Sequence, residues 1–180
     1  PQPVRSRRQR LWTVISSGSP DMAHRLASSR MAARLEQILE RDPLDVVVFE
    51  GIEMVPYLPL VLGYRERTGH GLRLVLDDHN AEYVLQQRVF ETDVRSPRRW
   101  LGALYSWIQW HRLRRYEAYA CRQVDAVTAV SEPDAEALQA LVPGLPVTVV
   151  PNGIEMADYA ACDPPSSILL FNSTIKSART

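Results

Sequence analysis

Five polar residues able to do chemistry stand within six positions, Asp77, Asp78, His79, Asn80 and Glu82, directly after the apolar run Leu72–Leu76. A neutral imidazole at the boundary between a strand and a helix can donate to a sugar hydroxyl or a phosphate. A purely structural histidine fits the same position, and Asp78 or Asn80 could simply cap a helix starting near Ala81. Three other apolar runs also end in polar residues. Glu50 follows Val46–Phe49, Ser131 and Glu132 follow Ala126–Val130, and Asn152 and Gly153 follow Val147–Pro151. Ser131 opens an S-x-x-D helix cap, and Asn152-Gly153 is a strong turn dipeptide, so each carries a structural reading beside a functional one.

The elements that must position these residues follow from the hydrophobic pattern. Short apolar runs recur at 11–15, 46–49, 72–76, 126–130, 147–150 and 168–171. They are rich in β-branched residues and mostly do not alternate with polar ones, as expected of parallel strands covered on both faces. Helical patterns fill the gaps: 21–41 ended by Pro43, 56–67 closed by Gly69 and Gly71, 81–90, 98–122 and 132–141. Strands alternating with helices imply right-handed βαβ units and a doubly wound, Rossmann-like α/β sheet. In such a sheet ligands sit outside the carboxyl ends of the strands, where the four polar clusters converge.

Composition narrows the function classes. The 180 residues carry 21 basic and 21 acidic side chains, so no overall field favours nucleic acid. Cys121 and Cys162 lack a CxxC partner or a histidine ladder, which argues against a metal site. No stretch reaches the roughly 20 apolar residues of a bilayer span, and the apolar core at 11–15 is shorter than the about 7–15 residues of a signal peptide. A cytoplasmic chain is expected. No GxSxG, P-loop, HExxH or GxGxxG motif is present, which removes the main support for hydrolase, kinase, zinc protease and dinucleotide readings.

The segment Ser96–Arg122 holds six arginines, one glutamate and three tryptophans. One reading packs Trp100, Leu104, Trp107 and Ile108 on the sheet and leaves the arginines in water. The other makes Arg98–Arg122 an interfacial helix that docks peripherally on anionic lipid at the inner membrane face.

Four segments in order, DVVVFEGIEMVPYLP, LVLDDHNAEYVLQQR, RRYEAYACRQVDAVTAVSEPDAEAL and VTVVPNGIEMADY, closely resemble the acceptor-side half of retaining GT-B glycosyltransferases of family four. The resemblance covers about residues 19–159. It implies a cleft between two Rossmann-like domains, a nucleotide-sugar donor held mainly by the second, and a sugar or lipid-linked acceptor held by the first. No cofactor or metal is implied. By position, His79 matches the histidine that reaches the donor sugar. Asn80 and Glu82 would shape the acceptor wall, Glu50, Gly51 and Glu53 would border the cleft, and Ser131, Asn152 and Gly153 would line its floor.

The chain departs from that pattern at both ends. The first strand with its Gly-rich loop is not found before Leu11, and Asn172 stands where a glycine is usual. Residues 1–162 therefore read as the N-terminal domain, and 163–180 as a linker and the stub of a second domain. On this reading the chain alone is inactive and its uncovered faces favour self-association. The alternatives are a non-catalytic Rossmann-like module that binds a membrane or a protein, and a GT-B relative that epimerises a sugar nucleotide.

Overall fold

The computed structural model describes residues 18–42 and 44–153. Four strands, β1 (Val46–Glu50), β2 (Arg73–Asp78), β3 (Ala126–Ala129) and β4 (Val147–Val149), form one parallel sheet in chain order β1-β2-β3-β4. The helices are α1 (Ser29–Arg41), α2 (Leu58–Thr68), α3 (Glu82–Val94), α4 (Trp100–Gln123) and α5 (Glu132–Leu141), with short 3-10 turns at Asp21–His24, Ile52–Tyr57 and Pro97–Arg99. The runs at 11–15 and 168–171, Cys162, Pro43 and the proposed boundary at 162/163 lie outside the described residues.

Parallel neighbours taken in chain order have a geometric consequence: right-handed crossovers deliver every connecting helix to the same face. Phe49, Leu74, Leu76, Val127 and Ala129 occupy that face and are buried in one core with Leu39, Ile52, Val61, Leu113 and Leu138. Complete burial of each of the larger of these side chains stabilises the fold by about 1.5–3 kcal/mol relative to exposure. The opposite face is only partly covered among the described residues, with Val46 48 % and Val48 58 % exposed. The expectation of cover on both faces thus holds for one of them here.

Local chemistry accounts for the helix boundaries. The single helix expected over 21–41 is two elements, because Ser28 adopts an extended backbone and its Oγ accepts the Met31 N–H, starting α1 afresh. The Tyr57 hydroxyl holds the break, donating to the Leu26 carbonyl at 2.6 Å and accepting the Ser28 N–H at 2.9 Å. The helix expected from Pro56 starts at Leu58, after a 3-10 turn, and ends at Gly69, whose φ of 63° suits a glycine cap.

Helix α4 also differs from its packing expectation. Trp100, Leu104 and Trp107 are 65, 56 and 44 % exposed, while Ala103, Ser106, Gln109, Leu113 and Glu117 face inward. A segment apolar almost all round offers no single stripe, so small residues settle the close approach to α3, where Phe90 stacks on Trp110 at 6.0 Å.

Candidate functional site

Strand parity builds the site. Glu50 pairs with Asp77 and Asp77 with Thr128, so the register sets three polar side chains in a row across β1, β2 and β3 at their carboxyl ends. Asp78 points the other way, into the core.

His79 lies against this row. Its Nε2 is 3.7 Å from Glu50 Oε1 and its Nδ1 is 3.7 Å from Asp77 Oδ2. Thr128 Oγ1 donates to Asp77 Oδ1 at 2.6 Å, which fixes the carboxylate facing the ring. The imidazole remains 45 % exposed and can meet a ligand from solvent. Both carboxylates stand beyond hydrogen-bond distance, so each faces a ring nitrogen as a nearby negative charge.

Gly51 turns the chain directly after Glu50. Its φ is 83°, its N–H donates to the Asp77 carbonyl at 2.9 Å, and a Cβ there would come within 3.2 Å of Glu53 Oε2. Glycine is therefore favoured by conformation, and a side chain there would also push the Glu53 carboxylate aside by a few tenths of an ångström.

The other expected residues divide into three groups. Glu53 and Glu82 line a pocket of about 370 Å³, together with Arg25, which is 3.7 Å from Glu53. Burial, then the Glu53 carboxylate, raises Glu82 above the ordinary carboxylate range, against the opposing pull of Arg25. Ser131 is a helix cap: its Oγ accepts the Asp134 N–H and its hydroxyl donates to Asp134 Oδ2. Through Asp134 it nevertheless reaches the site loop, since Asp134 Oδ1 accepts the Ala81 N–H at 3.1 Å. Asn80, Asn152 and Gly153 are exposed, and no hydrogen bond or ion pair joins them to His79.

Capping of α3 by Asp78 or Asn80 is overturned. Glu117 of α4, fully buried, accepts the N–H groups of Glu82 and Tyr83 at 2.7 and 2.9 Å. Asp78 is 1 % exposed, and its Oδ2 has no partner. Burial first, then the carboxylates of Glu82, Asp134, Glu53 and Asp77, pushes it up to about 8.

Thr128 is a site residue not singled out from the sequence, and Asp77, noted there as part of the polar cluster, gains its place beside His79 from the register. No group of three or more metal-ligating side chains occurs among the described residues.

The Glycosyltransferase Family 4 model matches residues 2–158. The chain belongs to glycosyltransferase family 4. The parallel α/β sheet of this family 4 domain is the Rossmann-like half of a GT-B fold. Comparison with curated proteins and with solved structures gave no match. Among the described residues, no helix of the family 4 domain is long and apolar enough to cross a membrane.

Proposed function

We propose that this family 4 domain is the acceptor-side wall of a transferase that moves a sugar from a nucleotide-sugar donor to an acceptor with retention at the anomeric carbon. The observation that carries the reading is His79, held between Glu50 and Asp77 at the carboxyl ends of adjacent parallel strands. A hydrogen bond from His79 to the donor sugar would stabilise the oxocarbenium-like transition state, where positive charge builds on the ring and negative charge on the departing diphosphate. Glu50, Gly51 and Glu53 border the cleft, Asn80 and Glu82 form the acceptor wall, and Ser131, Asn152 and Gly153 form its floor.

On this reading most donor contacts belong to a second domain, and the acceptor-side domain by itself transfers no sugar. Product from a transferase carrying this domain, followed by proton NMR of the new anomeric centre, should show the donor configuration. An inverted product refutes the mechanism, and steady transfer by the 180-residue chain alone refutes its inactivity.

A second reading is favoured by the exposed ridge of Trp100, Leu101, Leu104 and Trp107 on α4, with Arg98 immediately before it. We infer peripheral docking of this ridge on anionic lipid, which suits an acceptor carried on a lipid at the cytoplasmic face. Flotation with anionic liposomes should carry the protein in low salt and lose it in high salt. Binding to neutral liposomes that ignores salt would contradict the electrostatic part. The open face at Val46 and Val48 supports self-association, to be read as concentration-dependent sedimentation.

A further inference from the structure

The pocket beside the site has a recognisable chemistry of its own. Its walls come from the 3-10 turns at 21–24 and 52–57, from the first two turns of α3, and from the inward face of α4. At about 370 Å³ it falls within the roughly 300–1,000 Å³ of small-molecule sites. Leu85 and Val89, 38 and 47 % exposed, offer apolar surface, and Leu113 is buried at its wall.

Gln109 gives this pocket a ligand-directed feature beyond its acidic rim. The residue is only 4 % exposed, and Oε1 is committed to the Asp21 N–H at 2.8 Å. That bond sets the amide orientation, and Nε2 is left buried without a partner. An unmade bond at a buried amide costs about 1–3 kcal/mol, which a hydroxyl or ring oxygen of a ligand would relieve. Facing the same space, Glu53 and Glu82 supply acceptors only, and Arg25 stands 3.7 Å from Glu53. Asp21, Glu53 and Glu82 line the pocket against the single cation Arg25, which is held beside Glu53, so the balance favours hydroxyl and ammonium donors over a phosphate.

We propose that this pocket is the acceptor subsite and that it selects an unphosphorylated sugar ring, with a preference for one bearing an amine. The inference rests on the transferase reading for the word acceptor; the selectivity itself is a property of the pocket. Gln109 Nε2 donates to a ring or hydroxyl oxygen, Glu53 and Glu82 accept from hydroxyl or ammonium groups, and Leu85 with Val89 covers the C–H face of the ring. Pocket and reacting histidine are set by the same two strand ends, since Glu53 and Glu82 each follow Glu50 and His79 by three residues.

The 180-residue chain, labelled with nitrogen-15, is titrated with glucose, glucosamine and glucose 6-phosphate. Amide shifts should cluster at 21–25, 53, 82–89 and 105–113, with glucosamine binding several-fold tighter than glucose and glucose 6-phosphate at least about tenfold weaker than glucosamine. Val89→Trp, a change at an exposed rim position, should abolish the shifts while leaving the fold intact. Glu82→Gln should narrow the gap between glucosamine and glucose 6-phosphate. Absence of binding by all three sugars, equal or tighter binding of the phosphate, or shifts indifferent to Val89→Trp would each overturn the proposal. Sugar binding here without transfer in any two-domain enzyme would sink the transferase reading alone. Transfer whose acceptor KM ignores Val89→Trp would sink the subsite alone.

Discussion

The Glu117 carboxylate, in the middle of helix α4, accepts the backbone N–H of Glu82 at 2.7 Å and so closes the start of helix α3 from 35 residues away. Its second oxygen takes the Tyr83 N–H at 2.9 Å. The first turn of a helix always leaves N–H groups without partners, and Ala81 at the cap position has no side-chain acceptor to offer. One buried side chain therefore satisfies two donors and fixes where α3 begins, three residues beyond His79. Glu117→Ala should destabilise the domain by about 2–3 kcal/mol, because it strands two part-buried N–H groups. Glu117→Gln, which keeps one acceptor oxygen, should cost about half as much. Urea unfolding measures both, and a Glu117→Ala midpoint equal to that of the native chain would rule the cap out.

Asp78 shares the interior with Glu117 and makes folding depend on pH. Its carboxyl titrates near 3.8 when solvated and is pushed up to about 8 in the folded chain, by burial first and then by Glu82, Asp134, Glu53 and Asp77. Glu117 is raised in the same direction, by burial first and then by Asp78. The folded state thus holds a proton that the unfolded state has released. The stabilisation is complete below about 4 and is lost as pH rises towards about 8. Thermal midpoints should fall across that interval as the unfolding free energy drops by up to about 1.4 kcal/mol per pH unit from this group. Asp78→Asn should flatten the dependence and raise the midpoint at the alkaline end. A midpoint that rises from pH 5 to pH 8 in the native chain would contradict this assignment.

The four described strands were legible as apolar runs, and Gly69 and Ser131 were legible as helix boundaries, because their causes are local. A left-handed glycine ends a helix by itself, and a serine hydroxyl caps one three residues on. The convergence of Glu50 and His79 was legible for a different reason: any parallel sheet collects its strand ends on one side. The cap of α3 was not, since Glu117 reads in sequence as one more charge on a solvated helix and only packing shows it buried. Of the two readings of helix α4, the one that packs Trp100, Leu104 and Trp107 on the sheet fails for want of a dominant stripe. Its tryptophans promised core, yet Ala103, Ser106 and Gln109 took the inward positions, with Gln109 Oε1 accepting the Asp21 N–H at 2.8 Å. The break at Ser28 depends on Tyr57, a partner 29 residues away.

Cys121 is 1 % exposed, and burial, followed by the nearby Asp78 and Glu117 carboxyls, pushes its thiol up to about 12. The thiolate is the reactive form, so this cysteine should resist alkylation at pH 8 in the native chain. Iodoacetamide followed by peptide mass analysis should modify Cys121 only once denaturant is added. Prompt labelling under native conditions would show that α4 opens locally, or that the thiol is not buried.

The row Thr128, Asp77 and His79 makes a graded prediction about transfer. His79 would touch the donor sugar, whereas Asp77 would act through His79 as a positioning residue, itself held by Thr128 at 2.6 Å. In a transferase carrying this domain, His79→Ala should lower kcat by about 100-fold or more, the cost of removing a group that stabilises transition-state charge. His79→Gln, which keeps a donor of similar reach, should recover part of that loss. Asp77→Asn should lower kcat by about tenfold with little change in donor KM, since geometry at the reacting atoms is disturbed but ground-state binding is not. Thr128→Val should show a smaller effect in the same direction and should add nothing to Asp77→Asn, because both act on one carboxylate. Additive losses in the double variant would mean that Thr128 and Asp77 work independently. A drop in stability with unchanged kcat for both single variants would assign the row to the fold rather than to the reaction.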